Sequence, residues 1–250
     1  MHRFFISPHN IRGQVAVLDD SESRHALTVL RLKPGDEMIL FDGEGKSYQA
    51  FFQQTQGKRV LAVLGKTLEN ELSPAVNIHL VQGLPKGEKM EFIVQKAVEI
   101  GVHSIYPLQC RRSVAQLKQD TVEKKVRRWE AIAREACKQS GRNRFLKITP
   151  LFGLAELLTL MGNRPAIVLY EKEQNTGYKQ VLRSLMPGCF RKDLFLLVGP
   201  EGGWDEGEIE ELVHQGVHSA SLGSRVLRTE TAGLIASALA LYEAGDLGMP

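Results

Sequence analysis

Asp193-Leu194-Phe195-Leu196-Leu197-Val198-Gly199-Pro200-Glu201-Gly202-Gly203-Trp204 is the stretch that decides the fold. Leu194–Val198 is an unbroken apolar run, the pattern of a strand buried on both faces. The glycines that follow let backbone approach a ligand or a neighbouring segment closely. Asp205 is a natural helix N-cap, and Glu208 three residues later completes a capping box. Strand, glycine turn and helix in that order are one unit of a parallel sheet. In such sheets the turn beyond a strand's C-terminal end is the usual place for a ligand.

The same rhythm runs through residues 75–250. VNIHLVQG is a strand, and Glu88–Ile100 follows with Met90, Ile93, Val94, Ala97 and Ile100 on one helical face. HSIYPLQC is the next strand. Val122–Ser140 is a long amphipathic helix, with Val126, Trp129, Ala133 and Ala136 inward and Lys124, Lys125, Arg127 and Arg128 outward. Strand PAIVLYE, a helix near 178–186, strand DLFLLVG, helix Glu206–His214, strand VHSASL and a last helix from about Glu230 complete the series. The alternation predicts an α/β domain whose parallel sheet carries helices on both faces. The last helix has no charge over residues 231–242, so it is expected to be buried on more than one side, in the core or in an interface between two copies of the chain.

Residues 1–72 read differently. FFI, QVAVL, EMILF, SYQAFF and KRVLAVLG are short strands separated by turn signals, the pattern of a small β-barrel. One helix interrupts them, capped by Ser21 or Ser23 and carrying Ala26, Leu27, Leu30 and Leu32. Ser73-Pro74 is the expected boundary, giving domains 1–72 and 73–250.

The chain has 250 residues, enough for one large domain or two smaller ones. The N-terminal residues lack the apolar run of a secretory signal, and no stretch approaches a membrane span. Three scattered cysteines, Cys110, Cys137 and Cys189, argue against a disulfide framework and fit a reducing cytoplasm. Net charge is only +3, yet Arg111–Lys147 holds 12 Lys/Arg against 4 Asp/Glu, a local +8 that leaves −5 for the remainder. Such asymmetry suggests a basic face for a polyanion; the alternative is a solvated helix surface.

Several familiar sites are absent. There is no G-x-G-x-x-G, and Gly45-Lys46-Ser47 fails as a phosphate loop because position 40 is Leu. His214 and His218 have no Cys or acidic cluster to complete a metal site, so no metal is expected. A second ligand-like turn is Ser221-Leu222-Gly223-Ser224-Arg225-Val226-Leu227-Arg228-Thr229-Glu230-Thr231-Ala232. It too follows a strand and opens a helix. Leu222, Val226 and Leu227 could enclose an apolar ring, and Arg228, Thr229, Glu230 and Thr231 supply polar groups. Each turn alone could be structural, and Arg228 with Glu230 a surface ion pair; two such turns at successive strand ends point to a site.

On these residues the chain resembles the bacterial 16S ribosomal RNA (uracil-1498-N3)-methyltransferases of the knotted SPOUT superfamily. The resemblance spans nearly the whole chain. It rests on Arg24–Arg31, Gly83–Lys89, Lys96–Gly101, Glu135–Arg142 and the two turns above. It implies a PUA-like barrel followed by a SPOUT-type parallel sheet with a deep C-terminal trefoil knot, a topology that periodicity would never suggest. It implies S-adenosylmethionine as cofactor, held by Leu169, Tyr170, Glu171, Val198, Gly199, Pro200, Gly202, Gly203, Leu222, Gly223, Val226, Leu227, Arg228, Thr231 and Ala232. It implies a cytoplasmic homodimer that acts on N3 of a uridine in 16S ribosomal RNA, in the small ribosomal subunit.

Uracil N3 carries a proton at neutral pH that must leave. Arg228 is the candidate to stabilise charge on a uracil carbonyl oxygen, and Glu230 or Glu201 to take the proton or orient Arg228. Candidate phosphate contacts are Lys86, Lys89, Arg111, Arg112, Arg142 and Arg144, with Arg3, Arg24, His25 and Arg31 in the barrel. The rivals are a methyltransferase acting on transfer RNA, a non-catalytic RNA-binding factor, and an unrelated nucleotide-binding enzyme.

Overall fold

The computed structural model describes residues 1–68, 74–113, 119–189 and 193–248. Ser73 of the expected boundary lies outside them. The chain forms two compact units: residues 1–72 together with Arg134–Phe145, and the remainder.

The smaller unit is a six-stranded sheet in the order β1 (His2–Phe5), β4 (Glu37–Phe41), β5 (Ser47–Gln56), β6 (Arg59–Leu68), β3 (Val15–Val17), β2 (Ile11–Arg12). β1 runs parallel to β4 and all other pairs are antiparallel. Alternate residues from five strands, among them Phe4, Ala16, Met38, Leu40, Phe52 and Val60, meet in one core with Ala26. The helix α1 (Asp20–Arg24) continues into a wider π-helical turn at His25–Val29. Its cap is Asp19, whose carboxylate accepts from Glu22 N–H at 2.8 Å. The serine caps expected from sequence do not form, because the helix starts earlier. Ser23 is instead buried, its hydroxyl accepting from Val60 N–H at 2.9 Å. Residues 134–145 belong to this unit through packing that sequence gives no sign of. Phe145 packs tilted against Phe5 and edge-on against Phe41, close to Gly43, where a Cβ would meet the Phe145 ring at 2.5 Å. Lys138 and Glu22 form an ion pair that is nearly fully buried.

The larger unit is a six-stranded, all-parallel sheet. Its order is β12 (His218–Ala220), β10 (Ala166–Leu169), β11 (Asp193–Val198), β7 (Asn77–Gly83), β8 (Ser104–Leu108), β9 (Lys147–Ile148). The helices are α2 (Lys89–Ile100), α3 (Gln119–Ser140), α4 (Leu154–Met161), α5 (Tyr178–Cys189), α6 (Glu206–His214) and α7 (Thr229–Glu243). β9 and α4 are additions to the expected series.

Alternation along the strands separates two cores. Val81, Phe195, Leu197, Ala166 and Val168 pack with Leu157 and Met161 of α4 and with Ile209 and Leu212 of α6. Leu80 and Val198, on the opposite face, meet α7 at Gly233, where a Cβ would lie 2.9 Å from Leu80 Cδ1 and 3.3 Å from Val198 Cγ2. Helices therefore cover both faces. α7 buries Leu234, Ala236, Ser237, Ala240 and Leu241 but exposes Ile235, Leu239 and Tyr242, so within one chain it is covered on one side only. Among the described residues no helix is long and apolar enough to cross a membrane, and no three His, Cys, Asp or Glu side chains gather as a metal site.

Candidate functional site

The strands β12, β10 and β11 are neighbours and end at the same edge of the sheet, so the turns that follow them converge. Together they line a cavity of about 900 Å³, near the upper end of the range for small-molecule sites. From the β10 turn come residues 169–171 and 173–177, from the β11 turn residues 198–203, and from the β12 turn residues 221–229 with Ala232.

The turns are fastened to one another. Trp204, fully buried, donates its indole N–H to the Leu169 carbonyl at 3.0 Å. Ser221 N–H donates to the Thr176 carbonyl at 2.9 Å and Tyr178 N–H to the Ser221 carbonyl at 2.8 Å. The Thr229 hydroxyl donates to the Gly199 carbonyl at 2.5 Å and accepts from Gln82 Nε2 at 2.8 Å. Gln82, next to last in the neighbouring strand β7, is itself fully buried, so this relay anchors the start of α7 to the sheet.

Missing side chains make the cavity possible. Gly203 adopts φ +70°, a left-handed conformation, and a Cβ there would lie 2.5 Å from Glu171 Oε1. Gly83, at the end of β7, has Pro200 N where its Cβ would come within 2.7 Å. Only glycine lets the β11 turn rest on β7.

Of the residues expected to hold a cofactor, Leu169, Tyr170, Glu171, Val198, Gly199, Pro200, Gly202, Gly203, Leu222, Gly223, Val226, Leu227, Arg228 and Ala232 line the cavity. Thr231 is exposed and lies outside the lining, because it points away on the first turn of α7. Residues 173–177 also line it and carry no sequence pattern beyond polar turn residues. There the Glu173 carboxylate accepts from the N–H groups of Asn175 and Thr176 and shapes the turn.

Lys89, expected among phosphate contacts, lines the cavity, with its ammonium 2.8 Å from Glu201 Oε1 and 3.2 Å from Glu230 Oε2. Arg228 projects from the rim with its side chain 84% exposed, 4.0 Å from Glu230 Oε1. The structure thus gathers all three residues singled out for chemistry.

The remaining basic candidates divide. Lys86, Arg111 and Arg112 are exposed in the larger unit. Arg111 and Arg112 share the Asp205 carboxylate at 3.0 and 3.6 Å, and Arg111 N–H donates to Glu208 Oε1 at 2.9 Å. In the smaller unit Arg24 and Arg31 are exposed, Arg31 with φ 55°. His25 packs edge-on against Phe4. Arg3 donates to Asn143 Oδ1 and lies over the Phe41 ring at 5.3 Å. Arg142 and Arg144 are half-buried.

Comparison with known proteins fits this architecture. An RNA methyltransferase domain family matches residues 71–241, and an RNA methyltransferase PUA domain family matches residues 18–65. The ribosomal RNA small subunit methyltransferase E of Bacillus subtilis is 35% identical, over 97% of each chain. That of Mycobacterium bovis is 32% identical, over 93% of this chain and 88% of its own. The crystal structure of a ribosomal RNA small subunit methyltransferase E from Neisseria gonorrhoeae, bound to S-adenosyl methionine, superposes with a TM-score of 0.80 at 33% identity, covering 96% of each chain.

Proposed function

The chain belongs to the ribosomal RNA small subunit methyltransferase E family, and on that footing we propose that it methylates N3 of one uridine, position 1498, of 16S ribosomal RNA, with S-adenosylmethionine as the methyl donor. The observation that carries the reading is the cavity where three neighbouring strand ends meet, with Arg228 and Glu201 in its lining and Glu230 beside Lys89 and Arg228. Its chemistry fits an adenosine-bearing cofactor. Leu222, Val226 and Leu227 offer apolar walls for a flat ring, glycine backbone gives close approach, and Glu171 offers a carboxylate to hydroxyl groups.

S-adenosylmethionine supplies, when bound, an electrophilic methyl group. The protein's part is position and electrostatics. Fixing two reactants in line is worth roughly 7–11 kcal/mol. Arg228, exposed at the rim, is the group that meets charge developing on a uracil carbonyl oxygen. Glu230 or Glu201 accepts the N3 proton, a contribution of about 10²–10⁴-fold for a positioned base. Exposed Arg24, Arg31, Lys86, Arg111 and Arg112 are proposed as phosphate contacts.

The same proposal includes a PUA-like barrel in the smaller unit, supported by the shared core of its sheet. It includes the trefoil knot. α7 starts from the edge strand β12 yet packs against β11 and β7, beyond β10. The segment leading to it is held by Thr176 on one side and Gly199 on the other. It includes a cytoplasmic homodimer, of which the pairing of two copies is supported by the exposed apolar stripe Ile235, Leu239 and Tyr242 on α7.

The test is to incubate the protein with radiolabelled S-adenosylmethionine and either small ribosomal subunits or bulk transfer RNA, then identify the labelled nucleoside. N3-methyluridine from the small subunit is the expected product. Label in transfer RNA, or on another atom, overturns the substrate assignment. No label in either RNA, from protein shown to bind the cofactor, overturns the reading.

A further inference from the structure

Lys89 is the first residue of α2, yet its ammonium is committed to carboxylates from two distant segments. Glu201 belongs to the turn after β11, and Glu230 to the first turn of α7. Glu201 is held a second time, both its oxygens accepting from Lys86 N–H at 3.1 and 3.2 Å. Glu230 is the more shielded of the pair, its side chain 15% exposed against 25% for Glu201. Arg228 also stands beside them, 4.0 Å from Glu230 Oε1, with its side chain 84% exposed. Two carboxylates and one ammonium leave a net negative charge at the rim, facing that guanidinium.

A lysine so engaged has little charge left to offer a phosphate. We propose that Lys89 is a positioning residue of the methyl-transfer site: it holds Glu201 and Glu230 together across the mouth of the cavity, so that a carboxylate is presented beside Arg228 to take the N3 proton. The inference rests on the methyltransferase reading above. In the step it serves, the N3–H bond breaks, its electron pair stays on nitrogen and its proton passes to a carboxylate oxygen, later to be released to water. Without the ammonium, two like charges share a partly shielded site, which disfavours ionisation of one of them and drives the side chains apart. The Glu201 carboxyl already reflects the arrangement. Burial pushes its pKa up, but hydrogen bonds from Lys89 and backbone N–H groups prevail and hold it below the usual glutamate range.

The test compares wild type, Lys89→Met and Lys89→Arg. Three readouts are needed: the pH profile of methyl transfer to small ribosomal subunits, the ¹³C-carboxyl NMR titration of Glu201 assigned with Glu201→Gln, and the salt dependence of RNA binding. For Lys89→Met, kcat is expected to fall on the order of 10²-fold, as for a small misplacement of a catalytic group, with KM for the subunit nearly unchanged. The acidic limb of the profile should move up, and the Glu201 titration with it. Lys89→Arg should restore most of the rate, and its folding controls for collapse of the Met variant. The salt slope of RNA binding should not change. A slope shallower by about one with an unmoved Glu201 titration would make Lys89 a phosphate contact and overturn the proposal. Should wild type label no uridine at all, the methylation reading fails separately. The Glu201 titration then decides for Lys89 alone, and an unmoved midpoint sinks it.

Discussion

Trp204 donates its indole N–H to the backbone carbonyl of Leu169 at 3.0 Å, tying the turn after β11 to the end of β10. Both residues are buried, and the tie crosses between two walls of the same cavity. A hydrogen bond here does more than stabilise: it fixes the distance between two ligand-bearing turns.

Trp204→Phe keeps most of the apolar volume and removes that donor. It leaves a buried carbonyl unpaired, at a cost of about 1–3 kcal/mol. Thermal denaturation should show a lower midpoint, and calorimetry a several-fold weaker affinity for S-adenosylmethionine. Unchanged affinity with lowered stability would mean that the tie is structural only.

Gly83→Ala places a methyl group 2.7 Å from Pro200 N and 2.8 Å from Pro200 Cδ. Backbone at that distance cannot yield without moving the turn. Cofactor affinity is expected to fall at least tenfold, while circular dichroism keeps the helix and strand content of wild type. Retained affinity would show that the β11 turn is free to shift without loss of the site.

Arg228→Ala removes a side chain 84% exposed at the rim and should leave folding near wild type. Turnover should fall by about 10²–10³, the usual loss for one charge-stabilising donor. Full turnover with normal cofactor and RNA binding would remove Arg228 from the chemistry.

His79 gives a stability prediction away from the cavity. It is buried at the opposite end of β7, stacked on Phe195, with Nδ1 2.5 Å from Ser104 Oγ and Nε2 3.0 Å from Asp193 Oδ1. Burial lowers its pKa, and the Asp193 carboxylate only partly offsets this. A histidine whose folded pKa is depressed is neutral in the fold and binds its proton more readily when unfolded. Its contribution is therefore fully present above the unfolded value of about 6.5 and is lost as pH falls below it. Denaturant titrations between pH 7.5 and 5 should show declining stability, and His79→Gln should flatten that decline. Parallel slopes in the two proteins would exclude His79 as the cause.

What sequence by itself determined was local. The helix Glu206–His214 and the strand before it were legible because an apolar run, a glycine turn and an Asp205–Glu208 capping box all act within a few residues. The parallel sheet followed from repetition of that unit, and the cavity-lining turns at 198–203 and 222–228 from their place after strands. The short β9, the helix Leu154–Met161 and the cavity residues 173–177 escaped because they are brief or polar and carry weak periodicity. The tertiary structure alone decided the rest. Residues 134–145 join the first unit through the Lys138–Glu22 pair and the ring contacts of Phe145, and Lys89 meets Glu201 and Glu230 from two distant segments. Periodicity and capping depend on neighbours along the chain, whereas an ion pair depends on which distant segments the fold returns to one place.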